Sequence, residues 1–325
     1  MFGYLRFILA LLVVISHLNI RFYTLNTGVI AVVVFYILAG FVVSHIYTDI
    51  IPHGKTKIIT FYKDRILRIF PLYLYIIMLT ILFLLVTSFG ASHFTPFNIV
   101  TNLTIIPLNY YMIIDNTILT DPNWWLIPPA WSLGTELQAY LLLPFALIFR
   151  RVKFFLALFS FIIYSIANFS IINPDYFGYR LVVGVFFIFL LGVSIQKVSS
   201  KTHTAFDKPF ILAVWSTILL FVPLFIYLDT FSPTYTKETF IGLLFGVPLV
   251  YTIAHSSIKL PFNRVMGSLS YGLFLSHFLA IWLVEYFNIA FDIPLYSSIQ
   301  IIAISLAIAF SGLLLIEVKI TKILI

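Results

Sequence analysis

Cysteine is absent from this 325-residue chain, which excludes disulfides, thiolate metal sites and cysteine nucleophiles. Charge is scarce too: Asp, Glu, Lys and Arg make up 10% of the residues against 62% apolar ones, and mean hydropathy is +1.08. That balance excludes a soluble globular domain and predicts an all-α, polytopic bundle of transmembrane helices. No internal repeat, Gly-Ser linker or low-complexity tail interrupts the chain, so residues 1–325 read as one membrane unit. The first helix has one early arginine and no small-residue cleavage pattern, so it is expected to be retained rather than removed as a signal peptide. Neither a resident cofactor nor a metal nor a nucleic-acid partner is expected.

What is present is a series of apolar runs, at about 4–20, 28–47, 71–88, 131–149, 154–172, 180–196, 209–228, 239–255, 266–286 and 295–318. They give ten candidate spans, several of them short enough to be tilted or re-entrant. If the N-terminus is inside, only Arg21, Arg180 and Lys237 of the 19 basic residues fall in outer segments. So lopsided a split predicts both termini in the cytoplasm. The 35 Phe and 19 Tyr suit lipid-facing packing better than a binding track.

Two connecting segments carry information. The longest, near 89–130, is expected outside, has no Lys or Arg, and contains Trp124-Trp125, suited to an interfacial belt or to stacking on a sugar ring. The inner segment near 57–70 reads as an amphipathic surface helix that ends at Pro71, with Arg65 and Arg68 on one face.

Ionisable groups inside apolar helices are costly and tend to face a bundle interior or a wet cavity. Arg6 and His17 are eleven positions apart in the first run, which puts them on one helix face roughly 16 Å apart. Glu136 opens the fourth run after Trp131-Ser132, and His277 lies deep in the ninth; His17, Glu136 and His277 are all assigned to the outer half of the bilayer. Interhelical hydrogen bonding is the structural alternative for each histidine, and helix capping for Glu136. Glu317 is expected to pair with Lys319 or Lys322.

Taken together, these residues resemble the acyltransferase-3 family of integral membrane proteins that O-acylate envelope carbohydrates. The resemblance is carried by Arg6-x10-His17, by Gly28-Val29 through Phe35-Tyr36-Ile37-Leu38-Ala39-Gly40-Phe41, and by Arg65-Ile66-Leu67-Arg68-Ile69-Phe70-Pro71. It continues through Trp131-Ser132-Leu133-x-x-Glu136 with Tyr140 and Pro144, Phe189-Leu190-Leu191-Gly192, and Ser270-Tyr271 running to His277. Ala39 departs from the serine usual before Gly40, and no hydrolase-like segment follows the last run.

The resemblance implies an enzyme that moves an acyl group, usually acetyl, from cytoplasmic acyl-CoA to a hydroxyl of an envelope carbohydrate or lipid-linked sugar. Arg65 and Arg68 would bind the CoA phosphates, and Arg6 the phosphates or the pantetheine arm. His17 would act as general base; Glu136 would orient it or bind acceptor hydroxyls; His277 or Tyr271 would donate to the developing oxyanion. Trp131, Ser132, Tyr271, Trp124 and Trp125 are candidate acceptor contacts. Direct transfer and an acyl-histidine intermediate both remain open, whereas Ser132 and Ser276 lack a nucleophile-elbow context. A transporter or flippase of an anionic or glycosylated substrate is the alternative, although the paired broken helices of carriers are not found.

Overall fold

A computed structural model of the chain describes residues 1–18, 24–228 and 233–317. Arg21, Lys319 and Lys322 lie outside these residues, as does the expected pairing of Glu317. The helices are α1 (Phe2–His17), α2 (Thr27–His45), α3 (Lys57–Thr87), α4 (Pro96–Thr104), α5 (Trp131–Ile148), α6 (Arg150–Asn168), α7 (Val182–Ser199), α8 (Asp207–Tyr227), α9 (Thr236–His255), α10 (Asn263–Tyr286) and α11 (Pro294–Gly312). Single π-helical turns extend α2 (Ile46–Ile50) and α11 (Leu313–Glu317), and another precedes α7 (Tyr176–Arg180). Each predicted apolar run coincides with one helix; only the short α4 was not foreseen.

Among the described residues, eight helices are long and apolar enough to cross a membrane: α2, α3 and α6 to α11. The 16-residue α1 is shorter, and α5 carries Glu136 and Gln138. Helix polarity nevertheless counts α5 as a crossing. Tyr36 stacks on Phe189 at 4.8 Å and Ser44 Oγ donates to Gln196 Oε1 at 2.7 Å, so α2 and α7 run parallel. Parallel spans need an odd number of crossings between them, and α3, α5 and α6 supply it; without α5 the two helices would be antiparallel. The same parity follows from α1 and α10, which also run parallel.

The helices group into two compact units: residues 1–20, 63–134 and 260–325 form the first, and residues 21–62 and 135–259 the second. Both α3 and α5 pass from one to the other. In the second unit α7 is almost wholly buried beside α2. There the glycines of two sequence motifs have a packing role: a Cβ on Gly40 would fall 1.9 Å from the Phe189 carbonyl oxygen, and one on Gly192 equally close to that of Ile37. Only glycine lets the two backbones meet at that crossing. A buried ion pair, Lys153 with Asp207, ties α6 to α8 and is completed by Ser194 and Thr204.

Two expectations are corrected within the first unit. Pro71 does not end a surface helix, because α3 runs unbroken from Lys57 to Thr87. Proline removes one N–H from the helix ladder at a cost of about 3 kcal/mol, and burial of Ile69, Leu72, Tyr73, Ile76 and Ile77 around it offsets that loss. The segment near 89–130 is also no bare loop. It contains α4, a 3₁₀ turn (Ile106–Tyr110) and a small hairpin pairing β1 (Leu119–Thr120) with β2 (Asn123–Trp124). Its hub is the fully buried Asn102, whose amide donates to the Asn98 and Asn116 carbonyls and accepts from the Leu126 N–H, while Tyr73 of α3 donates to its carbonyl at 2.6 Å. Hydrogen bonds of this kind order an irregular segment that has little regular structure of its own.

Candidate active site

The first unit brings the two intramembrane histidines into contact. At one end of α1 the Gly3 N–H donates to Asn263 Oδ1 at 2.9 Å and the Tyr4 hydroxyl to the Pro261 carbonyl at 2.8 Å. Fourteen residues further along both helices, His17 Nδ1 lies 3.1 Å from His277 Nε2. Equal spacing on two parallel helices keeps them in register for about 21 Å. The imidazole planes are nearly parallel, 22° apart, with centroids 5.1 Å apart. His277 is fully buried, and its Nδ1 lies 2.9 Å from the Phe274 carbonyl oxygen of its own helix; His17 is exposed.

Aromatic packing links this pair to the segment between α3 and α5. Phe278 stands edge-on to His17 at 5.0 Å, and Trp124 packs on Phe278 at 5.6 Å. The two adjacent tryptophans thereby separate in role. Trp124 is half-buried and touches the ring that touches His17, whereas Trp125 is buried against Tyr111 and Trp124. The first keeps part of its ring accessible; the second supports it.

The arginines belong to the opposite end of the same unit. Arg6 lies within one turn of Gly3 on α1. Tyr271 of α10 donates its hydroxyl to the Ile69 carbonyl of α3 at 3.0 Å, fixing the two helices beside each other one residue after Arg68. Arg65 is buried and donates from Nε to Asp64 Oδ2 at 2.9 Å, with a second bond from its Nη2 to the same oxygen. Asp64 thus orients one edge of the guanidinium fork, which has five N–H donors in all. Arg68 is half-buried.

Among the remaining predicted residues, Glu136 lies in the second unit, where the buried Tyr140 donates to its Oε1. Trp131 starts α5 and is half-buried. The hydroxyls of Ser132 and Ser276 donate to the carbonyls of Pro129 and Ser305, each at 3.0 Å. Sequence reasoning did not single out Phe278, Gly3 or Asn263. The signal for the last two was the shared fourteen-residue interval from Gly3 to His17 and from Asn263 to His277.

Chemically, this unit offers an imidazole pair at one end and guanidinium groups at the other. Such spacing suits a substrate with an anionic head and a long arm that ends in a reactive carbonyl. Comparison with known proteins gives this geometry its context. A family model described as an acyltransferase domain, that of the acyltransferase-3 family, matches residues 2–317, nearly the whole chain. An uncharacterized protein of Aquifex aeolicus (strain VF5) is 42% identical over 216 residues, covering 65% of this chain and 97% of that protein. An uncharacterized protein of Haemophilus influenzae (strain ATCC 51907 / DSM 11121 / KW20 / Rd) is 26% identical over 244 residues, covering 70% and 99% respectively. No solved structure matches the chain. The chain belongs to the acyltransferase-3 family and is an integral membrane acyltransferase.

Proposed function

We propose that this acyltransferase takes an acetyl group from cytoplasmic acetyl-CoA and places it on a hydroxyl of an envelope carbohydrate or lipid-linked sugar, in the inner membrane of a bacterium. The carrying observation is the in-register pairing of α1 with α10, which sets Arg6, eleven residues before His17 on α1, about 16 Å from the histidine pair. An extended pantetheine arm covers a distance of that order. Membership of an acyltransferase family favours the enzyme over a carrier.

In this reading Arg65, Arg68 and Arg6 hold the CoA phosphates on the cytoplasmic side, an orientation supported by the crowding of basic residues into inner segments. The thioester reaches His17 from below, and the sugar reaches it from the side of Trp124. His17 accepts the proton of the sugar hydroxyl as its oxygen bonds to the thioester carbonyl carbon, giving a tetrahedral intermediate. Collapse breaks the carbon–sulfur bond, and the thiolate leaves with the proton returned by the imidazolium. The products are a sugar ester and free CoA. Glu136, with Tyr140 as its partner, is assigned to binding acceptor hydroxyls.

Transfer of radiolabel from acetyl-CoA to envelope carbohydrate, in membranes carrying wild type, His17→Ala or Arg68→Ala at matched expression, tests the reading. Wild-type transfer, its loss in His17→Ala with CoA binding retained, and weakened CoA binding in Arg68→Ala are expected. Full activity in His17→Ala removes the catalytic assignment.

A further inference from the structure

We infer that His277 is a positioning residue that fixes the tautomer of His17, so that Nε2 of His17 is the nitrogen that takes the substrate proton. The inference rests on the acyl-transfer reading and deepens it. The chain of reasoning starts in the backbone of α10. A carbonyl oxygen only accepts hydrogen bonds, so the 2.9 Å approach of His277 Nδ1 to the Phe274 carbonyl requires the proton on Nδ1. A neutral ring protonated there has a bare Nε2, which can only accept. That bare nitrogen lies 3.1 Å from His17 Nδ1, which must therefore donate. The lone pair of a neutral His17 is left on Nε2, the nitrogen pointing away from His277.

This tautomer is the one a histidine in water favours less. Left alone, His17 would mostly carry its proton on Nε2 and so block the basic position. In serine protease triads an aspartate performs the equivalent service, and a histidine left in the wrong tautomer loses about 10⁴-fold in kcat. Here the acceptor is a second imidazole whose own tautomer is set by its helix, and no carboxylate is needed within the pair. The bond to His277, whose ring plane lies within 22° of that of His17, and the edge of Phe278 hold the His17 ring in the orientation this bond requires. Both nitrogens of His277 are occupied in this arrangement, so the oxyanion-donor role expected from the sequence passes to another group.

An interhelical hydrogen bond with no catalytic role predicts different results from two variants. His277→Gln places an amide oxygen near the position of Nε2 and retains an acceptor; His277→Leu removes it. Steady-state acetyl transfer and ¹⁵N NMR of histidine-labelled protein in lipid nanodiscs are to be measured on both. The expected results are His17 protonated on Nδ1 in wild type and in His277→Gln, and a shift toward Nε2 protonation in His277→Leu. With that shift, kcat falls roughly 10²- to 10⁴-fold while the KM for acetyl-CoA is little changed. Persistence of Nδ1 protonation in His277→Leu, or an equal fall of kcat in both variants, overturns the proposal. If wild type transfers no acyl group, the acyl-transfer reading fails, and with it the catalytic part of this inference; the NMR result still decides the tautomer.

Discussion

Gly3 and Asn263 lock the starts of two parallel helices together: the Gly3 N–H donates to Asn263 Oδ1 at 2.9 Å, and a Cβ on Gly3 would fall 1.7 Å from the Asn263 carbonyl oxygen. The same two helices carry His17 and His277 into contact at 3.1 Å. Backbone contact at one end of the pair therefore sets side-chain contact at the other.

Gly3→Ala is expected to force α1 away from α10 and to lower stability by about 1–3 kcal/mol, the usual range for overpacking. Thermal unfolding in detergent reads the stability, and acetyl transfer should fall with it. An unchanged midpoint would show that the helix starts can separate freely.

Arg68→Ala should raise the KM for acetyl-CoA by about 10- to 100-fold, the effect of losing one charge-assisted hydrogen bond to a phosphate. Titration with CoA measures the same loss without turnover. Arg65→Lys should also weaken CoA binding, because lysine cannot donate to Asp64 along one edge and to a phosphate along another.

Trp124→Ala and Trp125→Phe should behave differently. The first removes the ring that packs on Phe278 beside His17, and is expected to raise the KM for the acceptor about 3- to 10-fold with acetyl-CoA binding intact. The second removes a buried indole N–H that has no hydrogen-bond partner among the described residues. The relief of that unmet donor offsets the lost volume, so the unfolding midpoint should move by less than about 1 kcal/mol equivalent.

Lys153→Met leaves the fully buried Asp207 without its cation and should cost about 3–5 kcal/mol. Adding Asp207→Asn should recover much of that loss, since the amide oxygen can still accept from Thr204 while its NH2 donates to the Ser194 hydroxyl. A double variant no more stable than Lys153→Met would show that the pair does not act as a unit.

Local composition was enough to locate the helices. In lipid the backbone N–H and C=O groups of a hydrophobic run must be hydrogen-bonded within that segment, so the pattern near 209–228 or 239–255 anticipates α8 and α9 to within a few residues. Proline misled where neighbours outweighed it: the sequence around Pro71 signals a helix end, and only the burial of the side chains on either side of it explains why α3 continues. Similarly, Trp124 and Trp125 look equivalent as adjacent letters. Folding of their segment around Asn102 exposes one more than the other.

The sequence by itself determined the class of protein, the helices and the chemical types available to its site, because hydropathy and side-chain identity are properties of short stretches. The tertiary structure decided which of those groups meet. His17 and His277 stand 260 residues apart in the chain and 3.1 Å apart in the fold, and neither residue alone specifies which ring nitrogen carries the proton. That is set by a carbonyl on one helix and an imidazole on another, and hydrogen bonds between distant segments exist only once packing has brought the helices into register.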